Sequence, residues 1–239
     1  MSPSDTGTVP APPGDFSCDI DVAARGWDHD AWCGEFFPAD LPREWRLAFY
    51  ANHFRSVLVP GSMLLGAEIA DLAVWRADTH EAFRFFLEIS ARLVERFRSG
   101  GAAALVGWLE PLEGHIAGLV LRGFLGPRDT TFLHWLEALG DHFAMHELGG
   151  LERVAAASAS PVLAKRLPCW RPGLEGHRHG GCLGLLERPA TDLPGLRRQI
   201  EAFMAHARQA ERATLCVTGS PPPLPALQQA QILVELLGG

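Results

Sequence analysis

Two clusters in this sequence, one of cysteine with histidine and one of histidine with glutamate, have residue types that suggest metal chemistry first. Cys169-x7-His177-x-His179-x2-Cys182 places four residues that zinc accepts in a Gly- and Pro-rich stretch. The spacing matches no standard zinc signature, and Cys182 opens a strand, so the set reads as a solvent-exposed loop. No tightly bound metal is expected there. His142-x3-His146-Glu147 has the residue types of a zincin but not the order, because HExxH needs its glutamate between the two histidines on a helix. The chain has no G-x-G-x-x-G, Walker loop or G-x-S-x-G, so no cofactor is expected. Arg197, Arg198, Arg208 and Arg212, interleaved with Glu201 and Glu211, read as one solvated helix face rather than a nucleic-acid stripe.

The whole chain narrows the class. Its 239 residues suit one large α/β domain, and 47% hydrophobic content supports a full core. No apolar run approaches the roughly 20 residues that cross a bilayer, and no signal peptide is expected at the N-terminus. The five scattered cysteines (Cys18, Cys33, Cys169, Cys182 and Cys216) read as reduced thiols in a cytoplasm. A formal charge of −7 argues against nucleic acid or an anionic membrane as partner. Lys165 is the single lysine in a Lys and Arg total of 21, a bias expected of a GC-rich bacterial genome.

Strands and helices alternate along most of the chain. Residues 1–17, rich in Pro, Ser, Thr and Gly, are expected to be a flexible tail, with 18–239 a single domain. Asp19–Ala24 alternates and reads as a strand running into a loop at Gly26-Trp27. A helix opens at Leu41-Pro42, with Trp45, Phe49 and His53 on one face at i, i+4 spacing. Ser56–Val59 is the next strand, stopped by Pro60-Gly61. Met63–Ala77 reads as one helix, Ala82–Ile89 as a strand, and Ser90–Arg98 as a helix stopped by Gly100-Gly101. Gly114–Phe124 is an almost continuous apolar run, as a buried parallel strand requires. Thr130–Asp141 reads as a helix, Phe143–Leu148 as a short strand, and 149–181 matches no regular element. Cys182–Leu186, Leu193–Arg208, Ala213–Thr218 and Pro225–Leu237 then read as strand, helix, strand and helix.

The opening also carries a family pattern, GW-x4-W-x-G-x-F(F/Y)P followed by YA-x2-F. Here it is Gly26-Trp27, Trp32, Gly34 and Phe36-Phe37-Pro38, then Tyr50-Ala51 and Phe54. It resembles the YecE-like proteins, domain-of-unknown-function family 72, over most of the chain outside 1–17 and 149–181. The resemblance implies a TIM-like α/β barrel, irregular or incomplete around 149–181, and no established activity.

The departures from the family fall on polar positions. Val57-Leu58-Val59-Pro60 replaces V-E-I-N, Phe85-Phe86-Leu87-Glu88 replaces F-x-V-K, and Arg122 replaces a glutamine. Only Glu147 remains of E-x-R-H, and Val217-Thr218-Gly219 replaces F-N-N. In a barrel these positions sit at carboxyl strand ends, where the active sites of the fold lie. Two readings follow. One is a barrel that has lost its site, a pseudoenzyme binding a small anionic ligand or a protein partner. The other is a rewritten site with Glu88, Glu147 and His146 as catalytic candidates and Arg25, Trp27, Arg122, Glu187, Arg188 and Thr218 as ligand contacts. That second reading implies a hydrolase or isomerase, with a glutamate base and arginine electrophiles. The first is the expectation, and the oligomeric state is left open.

Overall fold

The structure, a computed structural model, describes residues 18–122, 130–147, 167–173 and 182–238; for 122, 130–134, 147, 167 and 168 the description stops at the backbone. The expected tail, the chain 149–166, and both His177 and His179 lie outside the described residues.

Eight strands form one all-parallel sheet: β1 (Asp19–Arg25), β2 (Ser56–Val59), β3 (Arg84–Ser90), β4 (Ile116–Arg122), β5 (Met145–Glu147), β6 (Leu167–Pro168), β7 (Leu183–Leu186) and β8 (Arg212–Val217). Their order is β6-β5-β4-β3-β2-β1-β8-β7, so every strand lies beside its neighbours in sequence except the end pair β6 and β7, and β1 also pairs with β8. The end strands meet through Trp170, whose N–H donates to Leu183 O at 2.9 Å and whose carbonyl accepts from Leu185 N–H at 2.8 Å. This is an irregular TIM-like barrel. Its irregular part is the expected one, where β6 is two residues long and one bridge stands for a ladder.

Alternation sorts side chains to the two faces of the sheet. Ala23, Leu58, Phe86, Val120, Cys169, Leu183, Leu185 and Cys216 pack together inside. Small Ala23 and Cys216 leave the space that Phe86 and the leucines fill, so the lumen is a plug and not a channel. Ile20, Val22, Ala24, Val57, Val59, Phe85 and Leu87 face outward, into the layer shared with the helices.

Helices α1 (Arg46–Ala51), α2 (Gly61–Gly66), α3 (Ile69–Ala77), α4 (Ala91–Arg96), α5 (Gly101–Leu109), α6 (Thr130–Gly140), α7 (Leu193–Ala207) and α8 (Leu224–Leu236), with four short 3₁₀ turns, complete the described elements. Three sequence expectations need correction here. Met63–Ala77 is not one helix, because Glu68 is extended and forms a reciprocal capping box with Asp71, which starts α3 afresh. Gly100-Gly101 does not end the helical region. Gly101 turns the chain at φ 69° and α5 begins there, burying Leu105, Trp108 and Leu109. Trp45 does not join Phe49 and His53, whose rings stack with centroids 4.7 Å apart; it ends a 3₁₀ turn (Arg43–Trp45), loses the i, i+4 register and is 64% exposed.

The family-like opening is a packing device. Gly34 turns at φ 83°, Trp32 donates from Nε1 to Pro222 O at 3.2 Å, and Phe36 lies within 6.3 Å of Trp32, Phe37, Phe49, Tyr50 and Phe54, ring centre to ring centre. Tyr50, the single tyrosine, is fully buried on α1. Its hydroxyl accepts from Ala24 N–H at 2.9 Å and donates to Ser56 O at 3.0 Å, so it joins β1 and β2 where their own ladder has not yet begun. Tyr50→Phe should lower unfolding stability by about 2 kcal/mol, because two buried backbone groups lose their partner. Urea denaturation checks this, and a change below about 0.5 kcal/mol would exclude the linking role.

Candidate ligand site at the barrel mouth

Because all eight strands are parallel, the candidate positions reach one end of the barrel. Arg25 ends β1, Arg122 ends β4 and Glu147 ends β5; Glu88 is two residues from the end of β3. Glu187 follows β7 directly and Thr218 follows β8. Register confirms the level, with Glu88 beside Val120 and Ser90 beside Arg122.

Arg25 and Glu88 meet across β2. Arg25 Nε donates to Glu88 Oε1 at 2.6 Å and Nη2 donates to Oε2 at 2.7 Å, a fork-to-carboxylate pair. Gly61 N–H, at the start of α2, donates to Oε2 at 3.1 Å. Glu88 is 2% exposed, while the Arg25 side chain keeps 22%. The hydrogen bonds to Glu88 raise the Arg25 pKa above its ordinary value, against the opposing effect of burial. Gly61 is tight here, since a Cβ would stand 3.2 Å from Glu88 O. Beneath the pair, burial and the Glu88 charge both push the Cys216 thiol well up, so it stays neutral.

Trp27, Arg188, Thr218 and His146 have other described contacts. Trp27 turns away and packs its ring edge-on against Trp75, with centroids 5.1 Å apart. Glu187 and Arg188 are exposed, and Arg188 uses its carbonyl to accept from Gln199 Nε2. Thr218 is buried, with its N–H donating to Leu186 O. His146 is on a strand, as expected, but sealed inside the barrel with its ring 5.5 Å from Phe86. Its Nε2 is 3.7 Å from Cys182 Sγ, and its Nδ1 has no partner among the described residues. Gly118 exists for this ring, because a Cβ there would meet it at 2.5 Å.

Cys169 is buried and Cys182 half-buried. Among the described residues no three His, Cys, Asp or Glu side chains gather in an arrangement that could hold a metal ion. Sequence reasoning missed the ion pairs at the opposite end. Arg212 is not on a helix with Arg197 and Arg198; it starts β8 and donates from Nε to buried Asp21 at 2.9 Å, with Arg55 at 3.7 Å. Burial still pushes the Asp21 carboxyl up, Arg212 notwithstanding. Asp21 shares the inward parity of Ala23, a signal present in the alternation. Buried Arg46, missed as well, bonds Asp28 at 2.6 Å and Asp30 at 2.7 Å and lies over the Phe37 ring.

The family model for the protein of unknown function DUF72 matches residues 22–139. The chain belongs to the DUF72 family. A solved DUF72 protein from Thermotoga maritima superposes with a TM-score of 0.62 at 13% identity, over 92% of this chain and 100% of that one. Another from Enterococcus faecalis gives 0.60 at 12%, over 94% and 99%. These likenesses carry the DUF72 fold. A Gloeobacter violaceus protein named NAD kinase 1 is 33% identical over 112 residues, 46% of this chain and 34% of that protein. The chain thus spans about a third of that relative's length.

Two measurements test the geometry. Arg25→Met and Glu88→Met should each cost about 3 kcal/mol, and the double variant should cost less than their sum by 1 kcal/mol or more, roughly. Additive losses would mean the two side chains do not meet. His146 is held down to a pKa of about 4 by burial, against 6.5 ordinarily. The unfolded chain therefore takes up a proton here before the folded one does. Its contribution is complete above pH 6.5 and is lost as the pH falls toward 4. His146→Gln should remove up to about 3 kcal/mol of that acid sensitivity. Equal slopes for the two proteins would place the ring in water.

Proposed function

We propose that this DUF72 protein is a non-catalytic binding protein whose barrel mouth takes a small anionic ligand. The observation that carries this reading is the Arg25–Glu88 pair. A general base needs a carboxylate oxygen within reach of substrate. Both oxygens of Glu88 are engaged by Arg25, one also by Gly61, at 2% exposure. The same pair fixes the plane of the Arg25 guanidinium and leaves Nη1 unclaimed among the described residues, on a side chain still partly open to solvent. A rigid guanidinium with a spare edge suits a carboxylate or phosphate oxygen. His146 supports the same reading, being neutral and enclosed.

Among the described residues no helix is long and apolar enough to cross a membrane. The five cysteines are all free, which supports a reducing, cytoplasmic setting.

A thermal-shift screen with inorganic phosphate and small mono- and dicarboxylates tests the proposal. At least one anion should raise the melting temperature saturably beyond a chloride control of equal ionic strength. Arg25→Lys, which keeps the charge but not the fork, should weaken that binding about tenfold. No specific shift, or one indifferent to Arg25→Lys, would remove the mouth as an anion site. Conversion of the bound compound, followed by NMR, would make the protein an enzyme.

A further inference from the structure

A cleft of about 410 Å³ lies outside the barrel, between the loop after β1, the turn before α1, and α2 and α3. Trp27, Leu47, Met63, Val74 and Trp75 form its walls. Its charged lining is Asp28, Glu44 and Asp78 against Arg43 alone. Arg43 is already held, donating from Nε to Asp28 Oδ2 at 2.6 Å, and Asp28 also receives Arg46. The cleft therefore offers no uncommitted cation, but it offers Glu44 and Asp78. Asp78 makes no ion pair among the described residues. Burial pushes its carboxyl above the ordinary value, so its charge is short of water.

The volume is that of a small-molecule site, and the walls are of the apolar, aromatic kind such sites use. Two indoles beside a carboxylate with no ion-pair partner among the described residues give a cation both a ring face and a counter-charge. Val74 on the cleft wall is 52% exposed, a large apolar side chain half in water. We infer that the Trp27–Trp75 cleft binds a small organic cation, an ammonium group carried on an aromatic or hydrocarbon body. The ammonium lies toward Asp78 and the body against the tryptophans. This site is separate from Arg25, which turns into the mouth while Trp27 turns out, and it takes the opposite charge.

Calorimetric titration of the full chain with phenethylammonium tests the inference, beside neutral 2-phenylethanol and anionic phenylacetate. The cation should bind saturably, at least tenfold more tightly than either isostere. Asp78→Asn should weaken it about tenfold, and Val74→Arg, at an exposed position, should abolish it. Circular dichroism should show both variants folded. Absent binding by the wild type, equal affinity for the alcohol, or binding unchanged in both variants would each overturn the inference. So would a dimer in solution that Val74→Arg dissolves, since a second copy would then be the occupant. The phosphate and carboxylate shifts at the mouth should be the same in Val74→Arg as in the wild type; their loss would merge the two sites and sink the inference.

Discussion

A carboxylate inside a barrel must have a partner or lose its charge, and Glu88 sets that demand in this protein. β3 carries it inward among Phe86, Leu58 and Cys216, where water does not reach. Its answer comes from Arg25, two strands away, and from the first N–H of α2. Three elements separated in sequence by up to 63 residues are thereby fixed to one point above β2. Since β2 is only four residues long, this tie does part of what a longer ladder would do. The pair also occupies both oxygens of the carboxylate that sequence reasoning offered as a catalytic base.

Beneath the pair, the face of β1 that turns inward runs from acid to small residue to base: Asp21, Ala23, Arg25. Asp21 meets Arg212 and Arg55 near the amino end, and Arg25 meets Glu88 at the carboxyl end. Between them the described lumen packs apolar side chains around Ala23, with the enclosed His146 ring against Phe86. The two ion pairs thus bound a dry plug at either end.

Strand positions were legible because a two-residue period survives in a parallel sheet wherever both faces are buried by different partners. Asp19–Arg25 and Arg84–Ser90 show it, and so their inward residues were readable before their contacts were. Helix boundaries were less so. The break at Glu68 depends on a side chain bonding back to its own turn, and the start of α5 depends on a glycine φ that composition does not reveal. The grouping of Arg25 with Glu88 at one end followed from the family-like frame, while their bidentate geometry required the register of β1, β2 and β3 together. His146 shows the limit most plainly. Its residue type suggested chemistry, but parity placed it inward, against Gly118 and Phe86, at a depth that a single sequence does not encode.

The residues that carry the family pattern are chiefly framework. Trp32, Phe36, Phe37 and Tyr50 form one aromatic cluster, Gly34 turns the chain beneath it, and Tyr50 supplies hydrogen bonds that β1 and β2 lack at that level. Such a set is sensitive to volume and to a few polar atoms, and indifferent to what sits above the strands. A fold can therefore be shared at 12 or 13% identity while Arg25, Glu88 and Thr218 occupy the mouth on their own terms. For the same reason the fold likeness carries no reaction with it. What the mouth does must be argued from Arg25, a guanidinium whose plane the structure fixes. What lies outside it must be argued from the tryptophan that the motif aims away from the barrel, into a cleft whose charge is the reverse.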